Sequence, residues 1–289
     1  MFESILPFDI AFSLAVQSWI NPAFTLLMKG ASFAFSAAGI MFIAAWLYWS
    51  RKEKESFYFI SLIVFAAVVS EGLKNAFKRL RPSFYNAGIA GLENHVRTDY
   101  SFPSSHSTLA GGVFAYLEKG FEKNWKILVF IGALAVAFSR IYLGAHFLSD
   151  VIAGLILGLL VGKFNLWFRK KTEHMHFRLS KLREELLLFS FIAVSFLIVL
   201  FLQEFVLAAV VIGYFAGYSL WKELRFEQSG KSLKRKFLGF AGIGVLYFAS
   251  RHGSLEQQFI VLAIMGFWVS FLFPLMFEAF KHHLKKAKN

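Results

Sequence analysis

The chain contains no cysteine, which excludes disulfides, thiol nucleophiles and cysteine-ligated zinc. It also lacks a basic stretch ahead of its first apolar segment. "MFESILPFD" has no basic n-region and no small-residue cleavage site follows it, so this is not expected to be a cleavable signal. Acidic residues are outnumbered, 18 against 31 Lys and Arg, leaving a net charge of +13. Such an excess invites a polyanion, but no recognition module interrupts the apolar runs, and no nucleic-acid partner is expected. The basic residues fall mainly in short loops, a pattern that reports membrane topology.

Apolar matter is abundant. Of 289 residues, 57% are hydrophobic and 18% aromatic, with 37 Phe and a mean hydropathy of +0.56. A soluble domain must show water a polar skin and cannot hide that much apolar surface. The composition therefore predicts an all-α polytopic membrane protein. Residues 8–20 carry Asp9, Ser13 and Gln17 at four-residue spacing, a narrow polar stripe on a helix that Asn21 and Pro22 break. This reads as an interfacial helix, the alternative being a first span completed by residues 23–28. Spans follow near 31–49, 56–76, 106–118, 126–142, 147–167, 186–203, 205–221, 237–250 and 257–280, about nine in all.

Basic runs around Arg51, Lys119, Arg169 to Arg183, Arg225 to Lys236 and Lys281 to Lys288 then share one side, the cytoplasm. One opposite loop breaks the rule, with Lys74, Lys78, Arg79, Arg81 and Arg97 on the outer side, where Arg140 and His146 also fall. Cations recurring on the disfavoured face suggest an anion site there.

Three stretches carry its chemistry. In "KNAFKRLRP", Lys74 and Arg81 are seven apart and nearly eclipsed on a helix, and Pro82 ends that helix. In "FPSSHS", Ser104 or Ser105 can cap a helix whose free N–H groups attract an anion, with His106 in its first turn. In "SRIYLGAHFLSD", His146 and Asp150 lie one helical turn apart, so the carboxylate can hold one ring nitrogen; Arg140 adds a third cation. Two histidines, three cations and a helix start fit phosphoryl transfer through a phosphohistidine, with the cations neutralising the phosphoryl oxygens. No outer carboxylate cluster suggests a divalent ion, so no metal and no cofactor are expected. In the intervening loop, Tyr85, Glu93, His95, Arg97 and Asp99 could shape a headgroup pocket or simply be solvated. Glu204, Arg251 and His252 read as solvated span ends.

Lys74-x6-Arg81-Pro82, Pro103-Ser104-Ser105-His106 and Ser139-Arg140-x5-His146-x3-Asp150 together resemble the three-part signature of the type 2 phosphatidic acid phosphatase (PAP2) superfamily. The resemblance covers roughly residues 31–165. It implies His146 as nucleophile, Asp150 as its orienter and His106 as general acid. It implies Lys74, Arg81, Arg140 and Ser104 as phosphate ligands, with Ser105 beside them. Ser105 stands where the family usually has glycine. If that position needs φ > 0, Ser is costly there; if it is helical, Ser keeps the N–H and adds a hydroxyl.

The resulting expectation is a PAP2-type helical bundle over residues 1–170. A transmembrane extension of about four helices follows over 171–289. The enzyme would hydrolyse a lipid phosphate or pyrophosphate from the extracytoplasmic side of the plasma (bacterial inner) membrane, with a cytoplasmic C-terminus. A lipid phosphotransferase with the same site, or a non-catalytic lipid-phosphate binder or transporter, are the rival readings.

Overall fold

The computed structural model describes residues 2–35, 37–93, 99–117, 123–176, 205–224, 233–250 and 252–286. Twelve α-helices are described: α1 (Leu6–Gln17), α2 (Pro22–Ala34), α3 (Ala37–Tyr48), α4 (Glu53–Phe77), α5 (Pro82–Tyr85), α6 (Ser105–Leu117), α7 (Lys123–Tyr142), α8 (Leu148–His176), α9 (Phe205–Glu223), α10 (Leu233–Ala249), α11 (Leu255–Phe267) and α12 (Phe273–Lys286), with a π-helical turn at Trp268–Leu272 joining the last two. Among the described residues, three stretches are each long and apolar enough to cross a membrane: Glu53–Phe77, Leu148–Thr172 and Leu255–Phe280. The expected span at 186–203, Glu204, Arg251, His95 and Arg97 lie outside the described residues.

The single span expected at 31–49 is instead two helices. Asn21 caps α2 by accepting the Phe24 N–H, with Pro22 in the first turn, and the helix ends at Phe35, whose φ of −112° and ψ of 16° leave the helical region. Hydropathy could not register this break, because both flanks are apolar.

The chain divides into two compact units, residues 1–40 with 61–172 and residues 41–60 with 173–289. Residues 41–60, grouped by the sequence reading with the first 170, thus cluster with the C-terminal part. In the second unit the Trp49 indole donates to the Val269 carbonyl (2.9 Å) and Tyr214 to Ser56 (2.6 Å). Arg235 lies over the Phe277 ring and near Glu278, and Lys236 over Trp46.

The first unit is built around α4, α6 and α8. Ser61 on α4 donates to Asn165 on α8 (2.7 Å), and Phe65 packs edge-on against Phe164 and Phe168. Helices α6 and α8 touch backbone to backbone along Gly154, Gly158 and Gly162: a Cβ on Gly158 would lie 2.2 Å from the Thr108 carbonyl oxygen. Small residues one turn apart permit this approach, and it sets the start of α6 beside the start of α8. Ser104 N–H donates to the Asp150 carbonyl (3.1 Å) there. Helix α7 packs on α6, α2 and α1, with Val16, Met28, Ile141, Tyr142 and Val151 in one buried cluster.

The polar stripe of α1 does not face water. Asp9 and Ser13 are fully buried and Gln17 is nearly so, while Ile5, Phe8 and Leu14 are exposed. Gln17 clamps the loop after α5, donating to the Ala90 and Tyr142 carbonyls and accepting from Ala90 N–H. The polarity is therefore the reverse of a helix floating with its polar face in the headgroups. The sequence pattern showed the stripe but not which side the protein would cover.

Because Gly158 leaves no room for a methyl group, Gly158→Ala is expected to destabilise the first unit by about 1–3 kcal/mol. Thermal unfolding in detergent should show a lower midpoint; an unchanged midpoint would mean that the α6–α8 contact is looser than described.

Candidate active site

Helix α4 ends at Lys78, whose φ of +48° is left-handed, and the chain turns inward. Residues 79–81 then run antiparallel to 99–101: Ser101 N–H donates to the Arg79 carbonyl (2.7 Å) and Arg81 N–H to that of Asp99 (3.0 Å), about an isolated bridge of Leu80 with Tyr100. Arg81 is extended before Pro82, as the proline requires. The turn from α7 to α8 runs through Gly144 at φ +68°, where a Cβ would also meet the Ala90 carbonyl oxygen at 2.2 Å. These local constraints deliver Lys74, Arg81, His106, Arg140, His146 and Asp150 to one end of the first unit.

The pieces act on one another. His146 is 2% exposed and held well below the usual histidine range, first by burial and then by the charges of Arg81, Arg140, Lys74 and His106. The same three cations act on His106. Arg81 is pushed down to about 10 by burial and by Arg140, so it is still charged at neutral pH. It donates to the Ala145 carbonyl at 2.8 Å.

His146 Nδ1 lies 2.8 Å from the Ser101 carbonyl oxygen. A carbonyl only accepts, so this bond puts the proton on Nδ1 and leaves the lone pair on Nε2. The expected partner, Asp150, is farther away, with Oδ2 at 3.9 Å. Its oxygens are taken by the Phe147 N–H (2.9 Å) and by Arg79 (2.6 Å). Asp150 therefore holds the start of α8 beside His146, while Ser101 holds the ring.

Each phosphate-ligand candidate has protein partners. Lys74 donates to Glu71 and to Ser105, both at 2.6 Å, and the Ser105 hydroxyl donates to Glu71 at 2.8 Å. Ser105 begins α6, and the only described non-glycine residues at positive φ are Arg51 and Lys78. Serine in the usual glycine position is thus unstrained, and its hydroxyl joins the Lys74–Glu71 pair. Ser104 caps α6: its buried hydroxyl accepts from the Ser107 N–H at 3.4 Å and from the Ser107 hydroxyl at 2.9 Å, so the capping choice left open by the sequence falls to Ser104. Arg140 donates to Ser32 and forks onto both oxygens of Glu93.

Glu71, Arg79, Ser101 and Ser149 were not singled out as site residues by sequence reasoning, and Asp9 was read only as part of a stripe. The available signal was a carboxylate set among apolar residues of a helix, Asp9 in α1 and Glu71 near the end of α4, which is costly unless paired.

By its fold this is an all-helical membrane protein. A PAP2 superfamily model matches residues 55–173, and a model described as the transmembrane extension of PAP2 superfamily phosphatases matches residues 205–287. Phosphatidylglycerophosphatase B of Bacillus subtilis is 33% identical over 157 residues, 50% of this chain and 73% of that protein. Dolichyldiphosphatase of Saccharomyces cerevisiae is 32% identical over 143 residues, 44% of this chain and 58% of that protein. The crystal structure of a transmembrane PAP2-type phosphatidylglycerolphosphate phosphatase from Bacillus subtilis superposes with a TM-score of 0.50 at 27% identity, covering 58% of this chain and 87% of the other. The chain belongs to the PAP2 superfamily.

Glu93 presents two oxygens to Arg140 as a phosphate would. If the two compete, Glu93→Gln should tighten inhibition by inorganic phosphate by about threefold, the scale of one partly exposed ion pair. Weaker inhibition would instead make Glu93 a support for the Arg140 fork.

Proposed function

We propose that this chain hydrolyses a lipid phosphate or lipid pyrophosphate at the extracytoplasmic membrane face through a phosphohistidine on His146. The observation that carries this reading is the bond from His146 Nδ1–H to the Ser101 carbonyl, which reserves Nε2 for attack among three cations. Membership of a phosphatase superfamily and relatives that act on phosphatidylglycerophosphate and dolichyl diphosphate support it.

In this reading Lys74, Arg81 and Arg140, with the N–H groups at the start of α6, gather the phosphoryl oxygens. His146 Nε2 attacks phosphorus as the bond to the leaving oxygen breaks, and His106, which takes up its proton once the bound phosphate offsets the surrounding cations, gives it to that oxygen. Water then attacks the phosphohistidine; His106 takes a proton from it, and the N–P bond breaks to free phosphate and His146. The Ser104 hydroxyl, committed to Ser107, contributes by shaping the helix start, and Ser105 by holding Lys74. A substrate whose tail stays in the bilayer suits a site at helix ends. Basic loops on the opposite side argue for the extracytoplasmic face and for a cytoplasmic C-terminus.

The test is phosphate release from a panel of lipid phosphates and pyrophosphates in sealed right-side-out vesicles containing EDTA. His146→Ala is expected to lower release at least about a thousandfold, and acid-labile label from a phosphate-labelled substrate should be trapped on wild-type His146 alone. Equal release by the two proteins on every substrate would overturn the reading, and activity confined to inside-out vesicles would overturn the sidedness.

The pH dependence follows from the same geometry. Burial and the surrounding cations lower the His146 midpoint, so its neutral, nucleophilic form persists as pH falls below the ordinary histidine value of about 6.5. The acid limb of kcat/KM assigned to His146, which reports the free enzyme, should therefore lie below that value. A limb at or above it would contradict the buried, cation-surrounded ring.

A further inference from the structure

Beneath the site lies a second set of charges. Arg79 is 2% exposed and Asp9 and Asp150 are fully buried. Arg79 Nη2 donates to Asp9 Oδ2 at 2.7 Å, and Nη1 donates to Asp150 Oδ1 and the Ser149 hydroxyl, both at 2.6 Å. Asp9 in turn accepts from the Ser149 N–H at 3.1 Å and from its hydroxyl. The guanidinium is sandwiched between the rings of Phe2 and Phe147, 4.5 and 4.4 Å from their centroids. Its Nε makes no hydrogen bond, so the charge is carried outward through the two Nη atoms only.

This arrangement exceeds what packing requires. A buried arginine costs much free energy unless paired, and one carboxylate would neutralise it. Here one guanidinium bridges two carboxylates from distant parts of the chain, Asp9 on α1 and Asp150 on α8. Arg79 also reaches His146 by a second route. Its backbone carbonyl accepts the Ser101 N–H at 2.7 Å, and the Ser101 carbonyl is the group that holds His146 Nδ1. One residue thus fixes both acceptors facing the protonated ring nitrogen, Ser101 through its main chain and Asp150 through its side chain.

We propose that Arg79, anchored by Asp9, is a positioning residue for His146: it sets the distance and charge of Asp150 and the place of the Ser101 carbonyl, and makes α1 a working part of the catalytic unit. Neither residue touches substrate in this scheme. The inference rests on the proposed role of His146 but is tested apart from it.

The groups that face His146 are Lys74 from α4, Arg81 before α5, His106 from α6, Arg140 from α7 and Asp150 from α8. Behind them stand Glu71 on Lys74, Glu93 on Arg140, Arg79 on Asp150 and Asp9 on Arg79. Among these, Asp9→Asn removes one negative charge at nearly constant side-chain size and leaves one of the two acceptor oxygens, so the His146 midpoint should fall. Arg79→Gln removes the cation that offsets Asp150, so the midpoint should rise. Arg79→Lys keeps the charge but cannot span both carboxylates with two nitrogens, so the midpoint should move least while the geometry is still lost.

The experiment uses the full chain in lipid nanodiscs with ring-15N histidine, the His146 signals being assigned by their loss in His146→Ala. Titration reads its midpoint and tautomer, and phosphate release reads kcat and KM per folded enzyme. All three variants are expected to lower kcat, by about tenfold to a hundredfold, with KM changed less than about twofold, the signature of misplaced catalytic groups. Asp9→Asn and Arg79→Gln should shift the midpoint in opposite directions. If Arg79→Gln does not fold, Asp9→Asn and Arg79→Lys decide the question. Folded variants with wild-type kcat and a wild-type midpoint would overturn the inference. Wild-type protein that releases no phosphate, yet shows the opposed shifts, would sink the proposed reaction and leave the positioning role standing.

Discussion

The first unit depends on charge balance around one buried guanidinium. Arg79 sits between Asp9 and Asp150 with aromatic rings on both faces, and three separate pieces of chain converge because of it. Were either carboxylate absent, an arginine removed from water would be left undercompensated, an expensive state in a low-dielectric interior. The ion triad therefore specifies where α1 docks, how the chain leaves α4 and where α8 begins. Apolar packing alone would leave these loosely determined, because lipid chains are as good a solvent for leucine as another helix is.

The same logic extends outward to the candidate phosphate site. Lys74 is matched by Glu71 and Arg140 by Glu93, so cations gathered for an anion are not left to repel one another. The pairs differ in depth. Glu71 is buried on the same helix as Lys74, a fixed partner, whereas Glu93 is 27% exposed in its side chain and comes from the loop between the first two motifs. Ser105 adds a hydroxyl to the deeper pair. Lys74 is thus aimed by its neighbours, and Arg140 is met by a carboxylate placed as an anionic substrate would be.

Much of this was legible in the sequence. The motif spacings picked out Lys74, Arg81, His106, Arg140, His146 and Asp150, but the helical repeats read into them do not carry over: α4 ends at Phe77 and leaves Arg81 in an extended segment, and His146 precedes α8, which begins at Leu148. What escaped was whatever depends on an unperiodic partner. Asp9 and Arg79 are separated by seventy residues, and nothing in the pattern of either segment names the other. The Ser101 carbonyl is a main-chain atom and leaves no mark on residue identity. The α2–α3 break fell inside a uniformly apolar run. The Gly154, Gly158 and Gly162 stripe was present at helical spacing, but its meaning requires knowing that α6 lies against it.

The family signature and the buried triad serve different ends of the same histidine. Arg140, His146 and Asp150 look outward as a motif, yet Asp150 is held from below by a residue inside the first motif and, through it, by α1. A nucleophile that must present Nε2 to an incoming phosphate benefits from having Nδ1 held by groups that do not move when the substrate arrives, because any slack there would cost alignment at phosphorus. In the proposed reaction the outer cations trade partners as phosphate enters and leaves. Those beneath need not, and burial behind aromatic rings keeps water from offering them alternatives. In the proposed reaction, separating exchangeable charge on the outer side from fixed charge behind the histidine lets one small site release phosphate while keeping that histidine in line.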